Sequence, residues 1–392
     1  MRRRALLQAA AAGAAGMVFG RTAAESSEGI RAIRIDEPFH GAVLNRRHGK
    51  AVEGGLEVTV RGEAPPTAGV AVNGIPARRD GNQFAAAVVL RAKETDITAV
   101  ADGAAGRRED RIRVRWDRHS FPRYRFAIDD NSFFLRDIAR KGYPSLFDCF
   151  YLKMLRDLHA KYGAKFVLNV YYRTEDGFEL PQFPGRYKPE WRDNAHWLRL
   201  SFHALADKPD RPYQDAPVEK LTADFDKVAA EIRRFAGEET YAPTTVIHWG
   251  MVRPEPAVFA ALAKRGVRAL SGYFEKRDGR WDINYRLDDR RSEYLSRHDA
   301  LVDFASGITF SKIDIVCNTV PLARIVHTLE PVVRDPNTAE IIDILTHEQY
   351  FWPFYVNYLP DHAQRLDAAI RYVTEKGYKP VFLHEGFLGA PE

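Results

Sequence analysis

The 392-residue chain has only two cysteines, Cys149 and Cys317, and its only strongly apolar stretch near the N-terminus is short. Two cysteines cannot form a disulfide framework or a four-thiolate zinc site. They could form one bond in an oxidising compartment or remain two buried thiols. The apolar stretch, residues 9–20, has about half of the ~20 residues that a membrane span requires. We therefore expect no integral membrane segment in the mature chain.

Residues 1–24 have the pattern of an export signal. A positively charged start precedes the apolar stretch, and small residues lie before Glu25. Paired arginines before Ala5 favour the twin-arginine route over a plain secretory signal. The absence of a cysteine near this site excludes a lipoprotein. We expect an exported protein, periplasmic or secreted.

The positive net charge belongs mostly to this signal. Removing residues 1–24 takes away four arginines and no acidic residue, which lowers the net charge from +5 to +1. A chain that is nearly balanced lacks the basic excess of a nucleic-acid-binding protein, so we expect no nucleic-acid partner.

Residues 28–116 consist of short segments in which apolar and polar residues alternate, separated by turn residues such as Asn73-Gly74. This pattern predicts a small all-β sandwich. It resembles the immunoglobulin-like modules that precede bacterial carbohydrate enzymes. The segment contains no cluster of reactive side chains, so we expect a packing or spacing role.

Residues 124–388 alternate between amphipathic helices and apolar strands. A helix, a glycine and a strand follow one another at Gly163, Gly266 and Gly377, and residues 218–236 carry one apolar helical stripe. Eight segments are strand candidates: 125–129, 164–172, 198–204, 244–250, 267–274, 307–314, 343–349 and 378–385. This α/β pattern predicts a (β/α) barrel of the glycoside hydrolase and deacetylase type.

Residues suited to metal binding or proton transfer occur at several predicted strand ends, where such barrels place their active sites. These residues are Asp129, Asp130, His203, His248, Asp314, His347, Glu348, His384 and Glu385. Several such residues together indicate an active site more strongly than any one of them. Each also has a structural alternative: the aspartates could cap a helix, and His384 could lie in the core.

One further spacing suits a metal site, and one aromatic stretch suits sugar binding. His203 and Asp207 are four residues apart, which in a helical turn places an imidazole and a carboxylate on one face. This pair could equally be an ordinary side-chain contact. His347 precedes the aromatic stretch 350–355, whose rings suit stacking on sugars or packing in a core.

Together these motifs resemble the metal-dependent polysaccharide deacetylases. The resemblance covers residues 124–388 and rests on the order of Asp129-Asp130, His203-x-x-x-Asp207 and a late apolar-Leu-x-His347 strand. The chain departs from the family where Asn131 replaces a glycine and Asp207 replaces a histidine. Where the fourth strand ends, the chain has His248-Trp249-Gly250 in place of the family's Arg-Pro motif.

The resemblance implies a residue-by-residue assignment. Asp129 would be the general base and His347 the general acid, and Asp130, His203 and Asp207 would bind a divalent metal ion, most simply zinc. Substrate-binding or supporting roles fall on a further set: His248, Trp249, Asp314, Glu348 and Tyr350. His248 is either a substrate contact or an alternative ligand. The implied function is secreted, metal-dependent removal of acetyl groups from a carbohydrate.

Two other functions fit the same sequence. A metal-independent glycoside hydrolase could use two carboxylates such as Asp129 and Glu348. A glycan-binding protein without catalysis could display the β-sandwich on a degenerate barrel. Bound metal distinguishes the deacetylase from the glycosidase, and acetate release distinguishes it from the binding protein.

Overall fold

The computed structural model describes residues 33–104 and 106–392. The predicted export signal, residues 1–24, lies outside these ranges. Within them, no helix combines the length and apolar character needed to cross a bilayer. Cys149 and Cys317 are both buried free thiols.

The first part of the described chain forms two five-stranded sheets. Their strands are β1 (Arg34–Glu37), β2 (Val43–Leu44), β3 (Lys50–Val52), β4 (Gly55–Glu63), β5 (Gly69–Val72), β6 (Ile75–Pro76), β7 (Arg78–Asp80), β8 (Gln83–Leu90), β9 (Glu94–Asp102) and β10 (Arg108–Trp116). One sheet has the order β1-β4-β8-β7 with β3 beside β4, and the other has the order β2-β10-β9-β5-β6. Side chains of both sheets, including Val58 and Ile97, share one core. The alternation of apolar and polar residues therefore gives each sheet one apolar face, and the two faces pack together. The immunoglobulin-like character of these sheets stays a prediction.

The second part of the described chain mixes helices with parallel strands. Its elements are β11 (Arg123–Asn131), α1 (Phe133–Lys141), α2 (Phe150–Tyr162), β12 (Phe166–Tyr171), α3 (Lys188–Asp193), β13 (Leu198–Ala204), α4 (Val218–Phe235), α5 (Pro256–Lys264), β14 (Ala269–Gly272), β15 (Glu275–Arg277), β16 (Arg280–Asp282), α6 (Asp289–Leu295), β17 (Ala300–Asp303), β18 (Ile308–Lys312), β19 (Ile315–Val316), α7 (Ile325–Val332), β20 (Ile341–His347), α8 (His362–Glu375) and β21 (Lys379–Pro380).

The predicted (β/α) barrel is wrong. The strands form a six-stranded sheet of order β13-β12-β11-β20-β19, with β21 beside β11, and a separate three-stranded sheet of order β14-β18-β17. In the described chain no strand joins β13 to β14, because the predicted strand 244–250 is irregular and ends in a 3₁₀ turn. The last predicted strand shrinks to two residues, and β17 runs antiparallel to β18. The architecture is therefore mixed α/β with open sheets.

The helical predictions agree better with the structure. Helix α4 matches the predicted helix 218–236, and its stripe is buried at Leu221, Phe225, Val228, Ile232 and Phe235. The three glycines predicted to end helices all have positive φ, between 71° and 85°. Glycine adopts this left-handed conformation without the steric cost that a Cβ brings.

Candidate metal centre

Asp129 and Asp130 lie at the carboxyl end of β11, where the strand has a bulge. The register of β11 against β12 shifts between Ile128 and Asn131, and Asp130 has a φ of 61°. Adjacent residues of a regular strand point to opposite faces, whereas a bulge re-aims a side chain. Both aspartates consequently line the same cavity.

Asp130, His203 and His248 form a group that could hold a metal ion. His203 Nε2 lies 3.1 Å from Asp130 Oδ1 and 3.1 Å from His248 Nδ1. The third spacing, from His248 Nδ1 to Asp130 Oδ1, is 3.5 Å. Zinc bonds of about 2.0–2.1 Å in a tetrahedral site give ligand–ligand edges of about 3.3 Å. The three donor atoms therefore have the spacing that a bound cation requires.

The outer nitrogen of each imidazole is held by a backbone carbonyl group. His203 Nδ1 lies 3.0 Å from the Val246 oxygen, and His248 Nε2 lies 3.2 Å from the Asp207 oxygen. If each outer nitrogen carries the proton, His203 Nε2 and His248 Nδ1 present their lone pairs to the common point. Such outer contacts fix the tautomer and orientation of metal-binding histidines.

The surroundings of the Asp130 carboxylate favour its charged form. Burial opposes its ionisation, but the neighbouring His203 and His248 side chains hold its pKa well below the ordinary value. Its second oxygen, Oδ2, accepts a hydrogen bond of 2.7 Å from Gln349. Oδ1 is therefore the oxygen that faces the imidazoles, and the carboxylate presents one ligand atom.

Asp207 does not take the place predicted from its spacing. His203 lies near the end of β13 rather than in a helix, so a residue four positions later is not on its face. The Asp207 side chain is 46% exposed and its Oδ1 lies 3.9 Å from His248 Nε2. Its backbone oxygen instead holds His248, which takes the third position in the group.

The turn at His248–Gly250 explains why His248 reaches this group. Trp249 has a φ of 65°, which breaks the extended path that the apolar sequence predicted. His248 turns into the site, and Trp249 lies along the cavity with the Arg211 guanidinium 4.9 Å from its ring centroid. Arg211 is itself held by two hydrogen bonds to Asp282, of 2.7 and 3.0 Å.

Asp129 and His347 lie side by side next to the candidate metal group. They are register partners on the parallel strands β11 and β20, and both line the cavity. Asp129 Oδ1 accepts a hydrogen bond of 2.6 Å from Asn169. His347 Nδ1 lies 2.8 Å from Asn318 Oδ1. Each side chain is thus oriented by one amide partner.

The cavity has a volume of about 870 Å³. Aromatic rings form much of its wall, contributed by Phe133, Trp249, Tyr273, Tyr350 and Tyr355. The Tyr350 ring lies 6.3 Å from that of His347. All the lining residues lie between positions 129 and 355, so within the described chain the N-terminal sheets contribute none.

Glu348 lies beneath the cavity rather than in its wall. Its fully buried carboxylate accepts hydrogen bonds from the backbone N–H groups of Ser132, Phe133 and Phe134, at 2.6 to 2.9 Å, and from Trp352 Nε1. Burial raises the pKa of Glu348 to about 7 against these hydrogen bonds. The residue caps α1, just after the aspartates, and is not placed to contact substrate.

Asp314 and His384 also lie away from the cavity. Asp314 Oδ2 accepts a hydrogen bond of 2.9 Å from the Asp343 backbone, and its Oδ1 pairs with Lys312. Burial raises the pKa of Asp314. The His384 ring stacks on Phe382, and burial lowers its pKa to about 3. Both residues belong to the structural interior.

Four site residues were missed by the sequence analysis: Asn169, Tyr171, Asn318 and Gln349. Asn169 and Tyr171 are polar groups within the apolar strand β12, and that interruption is a detectable signal. The Tyr171 hydroxyl donates a hydrogen bond to Asp130 Oδ1. Asn318 and Gln349 carry no comparable signal, since both lie within short 3₁₀ turns.

Comparisons with known proteins add no family. No protein-family model matches the chain, and no curated protein matches it. Among solved structures, a 4-alpha-glucanotransferase from Thermococcus litoralis aligns with 12% identity over 65% of this chain and 38% of its own, with a TM-score of 0.40. A 2,6-sialyltransferase from Photobacterium sp. JT-ISH-224 aligns with 10% identity over 75% and 55% of the two chains, with a TM-score of 0.12. Likenesses with TM-scores below 0.5 do not define a fold or a function.

Proposed function

We propose that the protein is a metal-dependent hydrolase that removes acetyl groups from a carbohydrate. The observation that carries this proposal is the placement of Asp129 and His347 on neighbouring strand ends beside Asp130, His203 and His248. A metal group flanked by one carboxylate and one imidazole is the arrangement that metal-assisted hydrolysis requires. The motif order shared with polysaccharide deacetylases supports the same reaction.

Zinc is the cation that we propose. Two imidazole nitrogens and one carboxylate oxygen are ligands that zinc accepts, and three protein ligands are typical of its catalytic sites. A bound divalent cation polarises a carbonyl group and makes a water molecule more acidic.

Asp129 is proposed as the general base. Asn169 holds Oδ1, which leaves Oδ2 to accept the proton of the attacking water. The side chain is only 3% exposed, so few other proton donors compete for it. A positioned base of this kind contributes roughly 10²–10⁴-fold to rate.

His347 is proposed as the general acid. The Asn318 side-chain oxygen accepts a hydrogen bond from the Nδ1–H group, whether the ring is neutral or positively charged. Nε2 is then the nitrogen that loses its proton to the leaving amine or alcohol and regains it. The placement of base and acid on neighbouring strand ends lets one proton be removed and another supplied in a single turnover.

The cavity supports a carbohydrate as the substrate. Sugar rings have apolar faces that stack on aromatic side chains. Tyr350 and Tyr355 provide such surfaces beside His347, and Trp249 provides one beside His248. A volume of about 870 Å³ lies within the range of small-molecule sites. The signal-like residues 1–24 support export as part of the proposal.

Acetate release tests the proposal. The chelator-treated protein, with and without added zinc, is incubated with a panel of N-acetylated and O-acetylated glycans. We expect zinc-dependent acetate release that falls at least about 100-fold in Asp129→Asn and in His347→Gln. Asp157→Asn, an exposed aspartate on α2, is the matched control and should retain full activity. Equal activity with and without bound metal, or in Asp129→Asn, would overturn the proposal.

A further inference from the structure

Three buried polar side chains continue the hydrogen bonding of His347 away from the cavity and into the core. Asn318 Oδ1, which lies 2.8 Å from His347 Nδ1, also accepts a hydrogen bond of 3.3 Å from the Thr346 hydroxyl group. The same hydroxyl oxygen lies 2.9 Å from His362 Nε2. Because Asn318, Thr346 and His362 are all buried, solvent offers them no alternative partners.

Helix α8 holds Asn318 in two ways. His362 is the first residue of the helix and reaches the Asn318 side chain through Thr346. Arg365, about one turn later, donates a hydrogen bond of 3.2 Å to the Asn318 backbone oxygen. Residues three apart in a helix lie on the same face, so one face of α8 supports both contacts.

The hydrogen bonds of this chain can run in two directions, and His362 decides between them. Burial lowers the pKa of His362 to about 3, so its ring carries a single proton. If Thr346 donated its only proton to His362 Nε2, the ring proton would lie on Nδ1. Within the described chain this buried Nδ1 has no hydrogen-bond partner, and a buried N–H group without an acceptor is rare and costly. The proton therefore belongs on Nε2, which donates to Thr346, and Thr346 donates to Asn318.

This direction fixes the amide group of Asn318. Thr346 donates to its oxygen, so the oxygen rather than the NH₂ group faces His347. A reversed amide would place its N–H against Nδ1, which would oppose the Nδ1–H group that a positively charged His347 carries. A general acid must carry that charge before it gives up its proton.

We propose that Thr346 and His362 are positioning residues for His347, which hold the Asn318 oxygen toward Nδ1 and leave Nε2 as the nitrogen that donates a proton. This inference rests on the proposed function, in which His347 is the general acid. In the transfer, the Nε2–H bond breaks, its electron pair stays on nitrogen, the proton passes to the leaving group, and Nδ1 keeps its own proton. Neither Thr346 nor His362 lines the cavity.

Nitrogen-15 magnetic resonance of the histidine rings tests the proton positions without any measurement of activity. The metal-free full chain, labelled at histidine, is examined at mildly alkaline pH, above the ordinary histidine pKa of about 6.5. Spectra of His347→Gln and His362→Gln assign the two rings. We expect a protonated Nδ1 on His347 and a protonated Nε2 on His362. A protonated Nε2 on His347, or a protonated Nδ1 on His362, would overturn the inference.

Two substitutions at Thr346 separate hydrogen bonding from packing. Thr346→Val keeps the shape of the side chain without the hydroxyl group, whereas Thr346→Ser keeps the hydroxyl group without the methyl group. We expect Thr346→Val to lower kcat for acetate release roughly tenfold, the rate equivalent of one lost hydrogen bond, with KM unchanged. It should also populate both tautomers of His347, whereas Thr346→Ser should behave as the wild type. Thr309→Val, at a buried threonine of β18 that does not line the cavity, is the matched control.

The outcomes separate this inference from the proposed function. A larger loss of kcat in Thr346→Ser than in Thr346→Val would show that Thr346 acts by packing, and would overturn the inference alone. Equal kcat in Thr346→Val and the wild type would do the same. The expected tautomers in a wild type that releases no acetate would overturn the proposed function and leave the proton arrangement standing.

Discussion

The side-chain amide of Gln349 donates a hydrogen bond of 2.7 Å to Asp130 Oδ2. This contact joins the turn after β20 to the bulge at the end of β11. It fixes the rotation of the carboxylate, so that Oδ1 faces His203 and His248.

Replacement of Gln349 by leucine should weaken zinc binding without removing it. The carboxylate would lose the donor that orients it, and loss of such an outer contact typically costs 10–100-fold in metal affinity. Competition with a chromophoric chelator measures the effect. Gln83→Leu, on the exposed face of β8, is the control. Unchanged affinity in Gln349→Leu would show that the hydrogen bond does not orient the ligand.

His248 and Asp207 should respond in opposite ways to substitution. His248→Gln removes a donor atom of the group, so we expect zinc affinity to fall more than about 100-fold. Asp207→Asn retains the backbone oxygen that holds His248, so we expect a loss below about tenfold. Metal content after dialysis, with affinity by competition, distinguishes the two. The reverse result would restore Asp207 as the ligand in place of His248.

Glu348→Ala should destabilise the fold rather than abolish the chemistry directly. The substitution leaves three backbone N–H groups at the start of α1 without their acceptor. A buried unpaired donor costs roughly 1–3 kcal/mol. Urea unfolding measures the loss in free energy of unfolding. Glu219→Ala, at the exposed first turn of α4, should cost much less. Equal costs for the two variants would contradict the capping role.

His362 should make stability depend on acid pH. Burial lowers the pKa of His362 to about 3, below the ordinary 6.5. Between these values the unfolded chain binds a proton that the native chain does not, so the histidine contributes stability above pH 6.5 that is lost as the pH falls. The advantage of the wild type over His362→Gln should shrink by about 1.4 kcal/mol per pH unit well below 6.5.

Unfolding curves between neutral pH and the acid limit of folding test this linkage. His327→Gln, which changes an exposed histidine on α7, is the matched control. A difference for His362→Gln that does not vary with pH would mean that His362 titrates equally in both states.

The sequence predicts the parts of the site that lie on regular strands. Asp129, Asp130 and His347 follow apolar runs that become β11 and β20, so their placement at neighbouring strand ends follows from strand periodicity. The stripe of α4 is predicted for the same reason, since side chains at helical spacing must share a buried face.

The remaining parts of the fold and of the site depend on irregular backbone, which produces no periodic pattern of apolar residues in the sequence. The segment around His248 contains an apolar run typical of a strand, but the left-handed Trp249 ends it in a turn. At this segment the sheet departs from the predicted barrel. The third residue of the metal group is therefore His248 rather than the predicted Asp207. Asp207 was assigned from a helical spacing that β13 does not have.

The left-handed backbone of Asp130 has a consequence for which residue could replace it. A non-glycine residue with φ of 61° costs on the order of 1–2 kcal/mol of stability relative to glycine. Of two variants that both lose the carboxylate, Asp130→Gly should therefore unfold at a higher temperature than Asp130→Ala, although neither should retain the metal. A higher melting temperature of the glycine variant would show that the fold keeps a strained backbone where the ligand is needed.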